Sequence, residues 1–243
     1  CANMGALPSL DQFVSFVNTR PVNYSLISTS GFVELTTQIA SKLVAGTNAS
    51  PQRVDLTLIG NDADSSSDVR ISANIMGRDA DVQLESLVVG EVTNHVRTQI
   101  ESTGTESVHV TTANDQRYYG EVKIVGAAEV TGDQLHFVDN ITSTGDSSLV
   151  ANVREILRID ADVDLGRGTA DPLSTLRINL DPDASSIARV DFGGDGIEQT
   201  VTAERVEIFA TEESDLDAGG DFFPSGARRS PVATIGKRRG DLT

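Results

Sequence analysis

The sequence predicts an all-β protein built as a parallel β-helix, and three observations support this fold class. Short runs in which apolar and polar residues alternate fill residues 51–210, as in Val54-Asp-Leu-Thr-Leu58. These runs recur about every 14 residues, and Gly, Asp, Asn and Ser fill the intervals. Alternation at period two turns one face of a strand inward and the other toward water, and even spacing is typical of a repetitive architecture.

The spacing of the runs is the main evidence for a solenoid. The first apolar residues of the runs are Val54, Val69, Val82, Val96, Val108, Val122, Leu135, Leu149, Val163, Leu176, Val190 and Val206. Two successive strands would form one turn, or rung, of about 28 residues, which is within the range of solenoid repeats. An antiparallel β-sandwich is the alternative architecture, because its strands also recur regularly.

Residues 1–50 have a different pattern. Two sets of apolar residues recur at helical spacing, and they are Leu10, Phe13, Val14 and Val17, then Leu35, Ile39 and Leu43 within residues 33–44. This spacing predicts one or two short helices. We therefore expect a partly helical cap over residues 1–50, a repetitive β domain over 51–210 and an extended tail, first acidic and then basic, over 211–243.

The composition excludes several classes of function. The chain carries 19 Lys+Arg against 36 Asp+Glu, a formal charge of −17, so phosphate backbones would repel it and nucleic acid is not expected as a partner. Aromatic residues make up 5% and Trp is absent, which disfavours a module that stacks sugars on aromatic rings. No apolar run approaches the ~18 residues that a membrane-spanning helix needs.

The single cysteine is the first residue, Cys1, so the chain cannot form an intramolecular disulfide. Cys-Ala-Asn-Met-Gly at residues 1–5 resembles the start of a bacterial lipoprotein, in which a signal peptide is removed just before a Cys that is then lipidated. The resemblance implies a lipid at Cys1 and attachment to the outer membrane through acyl chains. The alternative is that Cys1 marks an arbitrary boundary.

One segment resembles a known family of repeats. Residues 108–137 combine three alternating strands with Gln-Arg-Tyr-Tyr-Gly at 116–120 and a Thr-Gly turn at 131–132. This pattern is similar to the repeats of filamentous-haemagglutinin-type and autotransporter-type surface adhesins. The resemblance implies a right-handed parallel β-helix on a secreted surface protein, and it brings no catalytic residues.

Elementary chemistry gives the residues of this segment structural roles. A Gln at a turn, such as Gln116, can satisfy backbone groups that the turn leaves open. Gly120 would supply the positive φ that a tight corner needs. Tyr118 and Tyr119 point to opposite faces of a strand, so we expect at least one of them in the core.

Asp160, Asp162 and Asp164 form the best row of candidate metal ligands. On one strand they would share a face at i, i+2 and i+4, where they could bind a hard cation such as Ca²⁺. The competing interpretation is a solvated acidic face on an acidic protein. No other cofactor is expected.

The histidines are better interpreted as exposed strand residues than as ligands. His95, His109 and His136 lie in separate alternating runs, with no Cys or Glu at metal-ligand spacing. No Ser-His-Asp arrangement, phosphate-binding Gly-rich loop or His-Glu-x-x-His motif is present, so we expect no catalytic residues.

The C-terminal tail differs in charge from the rest of the chain. Residues 228–243 hold five basic side chains and one acidic, a net of +4, which leaves −21 for residues 1–227. The residues expected to mediate self-association are Arg228, Arg229, Val232, Ile235, Lys237, Arg238 and Arg239. We expect this tail to dock on the acidic surface or the open rung of another copy, because sheet edges pair by strand addition and head-to-tail contacts build filaments.

Three functions are compatible with these observations. The first is a non-enzymatic, secreted or cell-surface structural protein, adhesin-like and self-assembling, with other copies of itself and a host or surface receptor as partners. The second is a β-sandwich pilin-like or virion-surface subunit. The third is a β-helical carbohydrate-active enzyme, although no pair of carboxylates stands out among the 36 acidic residues.

Overall fold

The structure is a computed structural model, and it describes part of the chain. The described residues are 22–28, 33–35, 52–60, 68–76, 78–79, 82–102, 104–145, 147–166, 174–180, 188–193, 199–210, 215–217, 223–224 and 232–237. These residues form strands, turns and corners and contain no helix. Accordingly, no helix of the described ranges is long and apolar enough to cross a membrane.

The strands follow the alternation seen in the sequence. Their bounds are β1 Val22–Ile27, β2 Val33–Leu35, β3 Gln52–Ile59, β4 Val69–Ile71, β5 Ile75–Met76, β6 Arg78–Asp79, β7 Val82–Val89, β8 Thr98–Glu101, β9 Val108–Thr111, β10 Asp115–Tyr118, β11 Val122–Val125, β12 Ala127–Phe137, β13 Ile141–Ser143, β14 Ser148–Ile159, β15 Val163–Asp164, β16 Thr175–Leu180, β17 Arg189–Phe192, β18 Thr200–Thr202, β19 Arg205–Ala210, β20 Asp215–Asp217, β21 Phe223–Pro224 and β22 Val232–Lys237. Eleven of the twelve predicted anchors lie inside a strand, and Val96 lies just before β8.

The strands form two parallel sheets. One sheet has 14 strands and runs from β1 to β22, and the other has 8 strands and runs from β2 to β21. Among the described strands, only β6 with β7 pairs in the antiparallel sense. The fold is therefore a parallel β-helix, as predicted, and the antiparallel sandwich is excluded.

The larger sheet bends, so each rung has three faces. The first half of β12 pairs with β9 and the second half with β10, and the register shifts between Gly132 and Gln134. We call the half of the sheet before this bend face 1 and the half after it face 2, and the smaller sheet is face 3. Where one long strand, such as β12 or β14, spans faces 1 and 2, the rung has two strands, as predicted. The other rungs have a separate strand on each face.

Rung length varies more than the sequence predicted. On face 3, Val33 and Pro224 lie seven rungs apart, a mean of about 27 residues per rung, close to the predicted 28. Single rungs run from 19 residues, between Val122 and Ile141, to 38 residues, between Val163 and Val201. The variation lies in the corners, because the strands themselves keep their register.

Two columns of partner residues run through all eight rungs without interruption. On face 3 the column is Val33, Val69, Thr98, Val122, Ile141, Val163, Val201 and Pro224. On face 2 it is Tyr24, Leu56, Leu87, Gln116, Leu135, Leu157, Val190 and Leu216. The apolar core lies between the faces, and most of its described side chains are at most 5% exposed.

The N-terminal part corrects one expectation. Val33–Leu35, where a helix was predicted to begin, is strand β2, paired in parallel with β4. The predicted helical residues 10–17 and 36–44 lie outside the described residues. Strands β1 and β2 at one end, and β20, β21 and β22 at the other, belong to the same two sheets, so the sheets extend past the predicted boundaries at residues 50 and 211.

Candidate functional site

Residues 108–137 form a buried polar cluster at the bend between faces 1 and 2. Gln116 is 1% exposed, and its Nε2 donates to the carbonyl oxygens of Val110 at 2.9 Å and Thr131 at 2.8 Å. Its Oε1 accepts from the Tyr118 hydroxyl at 2.8 Å. The Tyr118 ring stacks on Phe137 with centroids 5.0 Å apart, and burial raises the pKa of its hydroxyl. The expected role of the Gln, satisfying backbone groups, is confirmed.

Gly120 is needed for a different reason from the predicted one. It is absent from the described positive-φ glycines, which are Gly90, Gly126, Gly145, Gly166 and Gly193. A Cβ at Gly120 would instead lie 2.3 Å from the Val96 carbonyl oxygen and 2.8 Å from the Val96 nitrogen. The expectation of a positive φ is therefore wrong, and the close approach of the Val96 backbone excludes a side chain.

A charged row runs along the outside of face 2. Strand register aligns Ser25, Thr57, Val88, Arg117, His136, Arg158, Asp191 and Asp217, one residue from each rung. Asp160, just beyond the row, accepts from Arg158 Nε at 2.6 Å and lies 2.7 Å from His136 Nε2. Burial alone would raise the pKa of Asp160, but the hydrogen bonds from Arg158 and His136 outweigh it and hold the pKa below its usual value.

The three candidate calcium ligands do not share a strand. Asp160 follows the end of β14, Asp162 lies in the three-residue corner, and Asp164 is in β15. Asp162 Oδ1 accepts from the Thr200 amide at 2.8 Å, and Asp164 Oδ1 accepts from the Gly166 amide at 3.0 Å. The expected i, i+2, i+4 row is therefore wrong, because the chain turns a corner within it.

The carboxylates that we singled out have structural partners. Asp162 belongs to a corner ladder in which its own amide donates to Asn140 Oδ1 at 3.1 Å. No group of three His, Cys, Asp or Glu side chains in the described ranges is placed to hold a metal ion. Calcium binding stays a prediction that these contacts do not support.

The histidines each lie beside a carboxylate of a later rung. His109, in β9, lies 3.2 Å from Glu129 of β12, and His95 lies 3.8 Å from Asp139. His109 and His136 lie on strands and are partly exposed, as expected. His95 does not lie in a strand, because residues 90–97 form the loop between β7 and β8.

The outer bend carries a cluster of acidic side chains. Asn114 donates to Glu85 Oε1 across one rung at 2.5 Å. Burial raises the pKa of Asp115, and the negative charges of Glu155 and Glu85 raise it further, which outweighs the lowering by Arg117. The cluster therefore costs electrostatic energy at neutral pH, although hydrogen bonds offset part of that cost.

The tail residues expected to mediate self-association fall into two groups. Val232, Ile235 and Lys237 lie in β22, which pairs in parallel with β19 of the same chain, so that Ile235 is the register partner of Ile208. Arg228, Arg229, Arg238 and Arg239 lie outside the described residues, and so does Cys1. The extended character expected of the tail is confirmed for Val232–Lys237, and docking on another copy stays a prediction.

The sequence reasoning missed the strands at the N-terminal end. β1 has the sequence Val-Asn-Tyr-Ser-Leu-Ile, whose apolar residues alternate at period two. That alternation is the signal that could have revealed it. The end of β1 also carries Ile27, which is 60% exposed and, with Val92, one of two exposed large hydrophobic side chains in the described part of the chain.

Comparisons with known proteins give no family for this chain. No protein-family model, no curated protein and no solved structure matches it. Any functional conclusion therefore depends on the geometry of the solenoid and on its charges.

Proposed function

We propose that this protein is a non-enzymatic structural protein of the cell surface or extracellular space, adhesin-like, which assembles with copies of itself into filaments or a surface layer through head-to-tail contacts. The observation that carries the proposal is the unbroken register of eight rungs on faces 2 and 3. A stack of parallel strands has a sheet edge at each end, and such edges pair with other chains unless they are capped.

The side chains of the rungs support a scaffold role. Outward polar residues are used to tie successive rungs together, as when Asn179 Nδ2 donates to Asn152 Oδ1 at 2.7 Å and Asn152 Nδ2 donates to Glu129 Oε1 at 2.7 Å. Arg177 of β16 pairs across rungs with Glu207 of β19, which is nearly buried and also pairs with Arg205 of its own strand. Such contacts hold neighbouring rungs in one register and stiffen the stack.

The distribution of charge supports self-association. The +4 of residues 228–243 follows a body of −21, so the tail of one copy is attracted to the body of another. Surface charges of opposite sign accelerate encounter and orient the partners, and their effect falls as the salt concentration rises. Assembly should therefore be faster at low ionic strength.

Deleting residues 222–243 tests this proposal. The full chain is expected to form fibres or ordered arrays in negative-stain electron microscopy, whereas the truncated chain, which lacks β21, β22 and the basic tail, should stay monomeric. A variant with Arg228, Arg229, Arg238 and Arg239 changed to Gln is the matched control, because it keeps both strands and should assemble more slowly. Equal assembly by the full and truncated chains would overturn the proposal.

A further inference from the structure

We infer that copies of this chain join end to end as a continuous β-helix, in which β1 of one copy adds to β20 of the next, β2 adds to β21, and the start of β3 adds to β22. This inference rests on the proposed self-assembly and specifies its contact. The partner is a second copy of the same chain, and the surfaces are the two ends of the described solenoid.

The described strands complete a whole number of turns. The path begins on face 2 with β1, continues on face 3 with β2, and visits the three faces in this order until it ends on face 1 with β22. Each face is visited eight times. The strand that would come next after β22 belongs on face 2, which is the face of β1. The strand β1 of another copy can therefore take this position.

The ends also have the lateral alignment that stacking requires. Ser25 and Asp217 are aligned by strand register on face 2, at its first and last rungs. On face 3, Val33 and Pro224 occupy one column in the same way. The register columns of faces 2 and 3 continue through all eight rungs, so the strands at the two ends are aligned for the same pairing that joins neighbouring rungs.

The chemistry of the two ends is compatible with contact. β1 contains no charged residue, so the acidic β20, Asp-Leu-Asp, meets no like charge there. Pro224 in β21 lacks an N–H donor, and proline is tolerated at sheet edges. The larger sheet should therefore provide most of the hydrogen bonds of the joint.

Disulfide trapping tests the joint. In a Cys1→Ser background, the variant Ser25→Cys with Asp217→Cys places the two Cα atoms about 4.8 Å apart across the joint, which is within the Cα separation of a disulfide. Within one chain the same positions lie seven rungs, about 34 Å, apart and cannot bridge. Oxidation of assembled protein should therefore give a covalent ladder of dimers, trimers and longer species on a non-reducing gel.

The matched control moves one cysteine by one rung. Asp191 is the register partner of Asp217, so Ser25→Cys with Asp191→Cys would place the two Cα atoms about 9.6 Å apart across the joint, too far for a disulfide. This pair should give no ladder. Circular dichroism tests whether each double variant folds. If a double variant does not fold, its two single variants are prepared separately and mixed.

The outcomes separate the joint from the proposed function. A ladder with Asp217→Cys and none with Asp191→Cys supports the inference. Filaments without a ladder, or with equal ladders from both pairs, overturn this joint while self-assembly stands. If neither filaments nor cross-linked species form from well-folded protein, both the joint and the proposed assembly are wrong.

Discussion

Gln116 illustrates how single polar side chains hold this core together. A buried amide is expensive unless its donors and acceptor are paired, and Gln116 uses its Oε1 and both donor directions of its Nε2 on groups around the bend. It also joins two successive rungs, because Val110 and Tyr118 lie on β9 and β10 of one rung and Thr131 lies on β12 of the next. A leucine of similar size would remove these three hydrogen bonds, although the Thr131 carbonyl would still accept from the Thr112 amide.

Replacing Gln116 with Leu should therefore be strongly destabilising. We expect the free energy of unfolding to fall by about 2–4 kcal/mol, because three hydrogen bonds are lost and buried polar groups remain. Gln134→Leu is the matched control, since Gln134 is exposed and its side chain donates only one described bond, to Glu155, so its effect should stay below about 0.5 kcal/mol. Equal urea-denaturation midpoints for the two variants would contradict this role.

Asp160 gives a pH-dependent prediction. Its pKa is lowered in the folded state, so the ionised carboxylate stabilises the fold above its unfolded pKa of about 4 and loses this effect as the pH falls through the lower folded pKa. Asp160→Asn should cost about 1 kcal/mol at pH 7, a value reduced by partial exposure, and nearly nothing at pH 2.

Thermal denaturation of wild type and Asp160→Asn at both pH values measures this difference. Asp164→Asn, at an exposed position of β15, is the control and should change stability by less than about 0.5 kcal/mol at neutral pH. A wild-type advantage that persists unchanged at pH 2 would show that the Arg158 and His136 contacts are not its source.

At the scale of elements, the corners decide which residues are tolerated. The three-residue corner after β10 brings Gly120 against the backbone of Val96 on the previous rung, where a methyl group does not fit. The corner after β11 instead needs a positive φ, of 78°, at Gly126. The sequence alone does not separate these two uses of glycine, because both appear as Gly between alternating runs.

Gly120→Ala should shift the corner and destabilise the protein by about 2–3 kcal/mol, since the clash is with backbone that cannot rotate away. Gly104→Ala is the matched control, because a Cβ added at Gly104 would meet no atom within 4 Å and the change should be within about 0.5 kcal/mol. Chemical denaturation of the two variants measures the contrast, and similar stabilities would refute the close-approach account.

Most strands could be predicted from the sequence, and the failure at one strand has a physical cause. Alternation located most strands of residues 51–210, because the inward face must be apolar whatever the corners do. It failed at Val33–Leu35, whose apolar residues fit the i, i+4 spacing of a helix when taken together with Ile39 and Leu43. A three-residue strand carries too little pattern to compete with that interpretation, and its pairing with β4 decides the structure.

At the scale of the whole molecule, spacing predicted the rung but not its cross-section. Mean rung length follows from the strand repeat, whereas the bend at Gly132–Gln134 depends on contacts between rungs that are distant in sequence. The same limitation explains the error at Asp160, Asp162 and Asp164, which alternate in sequence but are separated by a corner. Predicting which of these carboxylates share a face therefore requires the position of the corner.

The most direct test of the account is fibre diffraction from aligned filaments of the full chain. End-to-end stacking places strands perpendicular to the filament axis, so we expect a meridional reflection at about 4.8 Å. Eight rungs per copy give an axial repeat of about 38 Å. A 4.8 Å reflection on the equator, or a repeat that eight rungs cannot produce, would contradict a continuous β-helix built from head-to-tail copies.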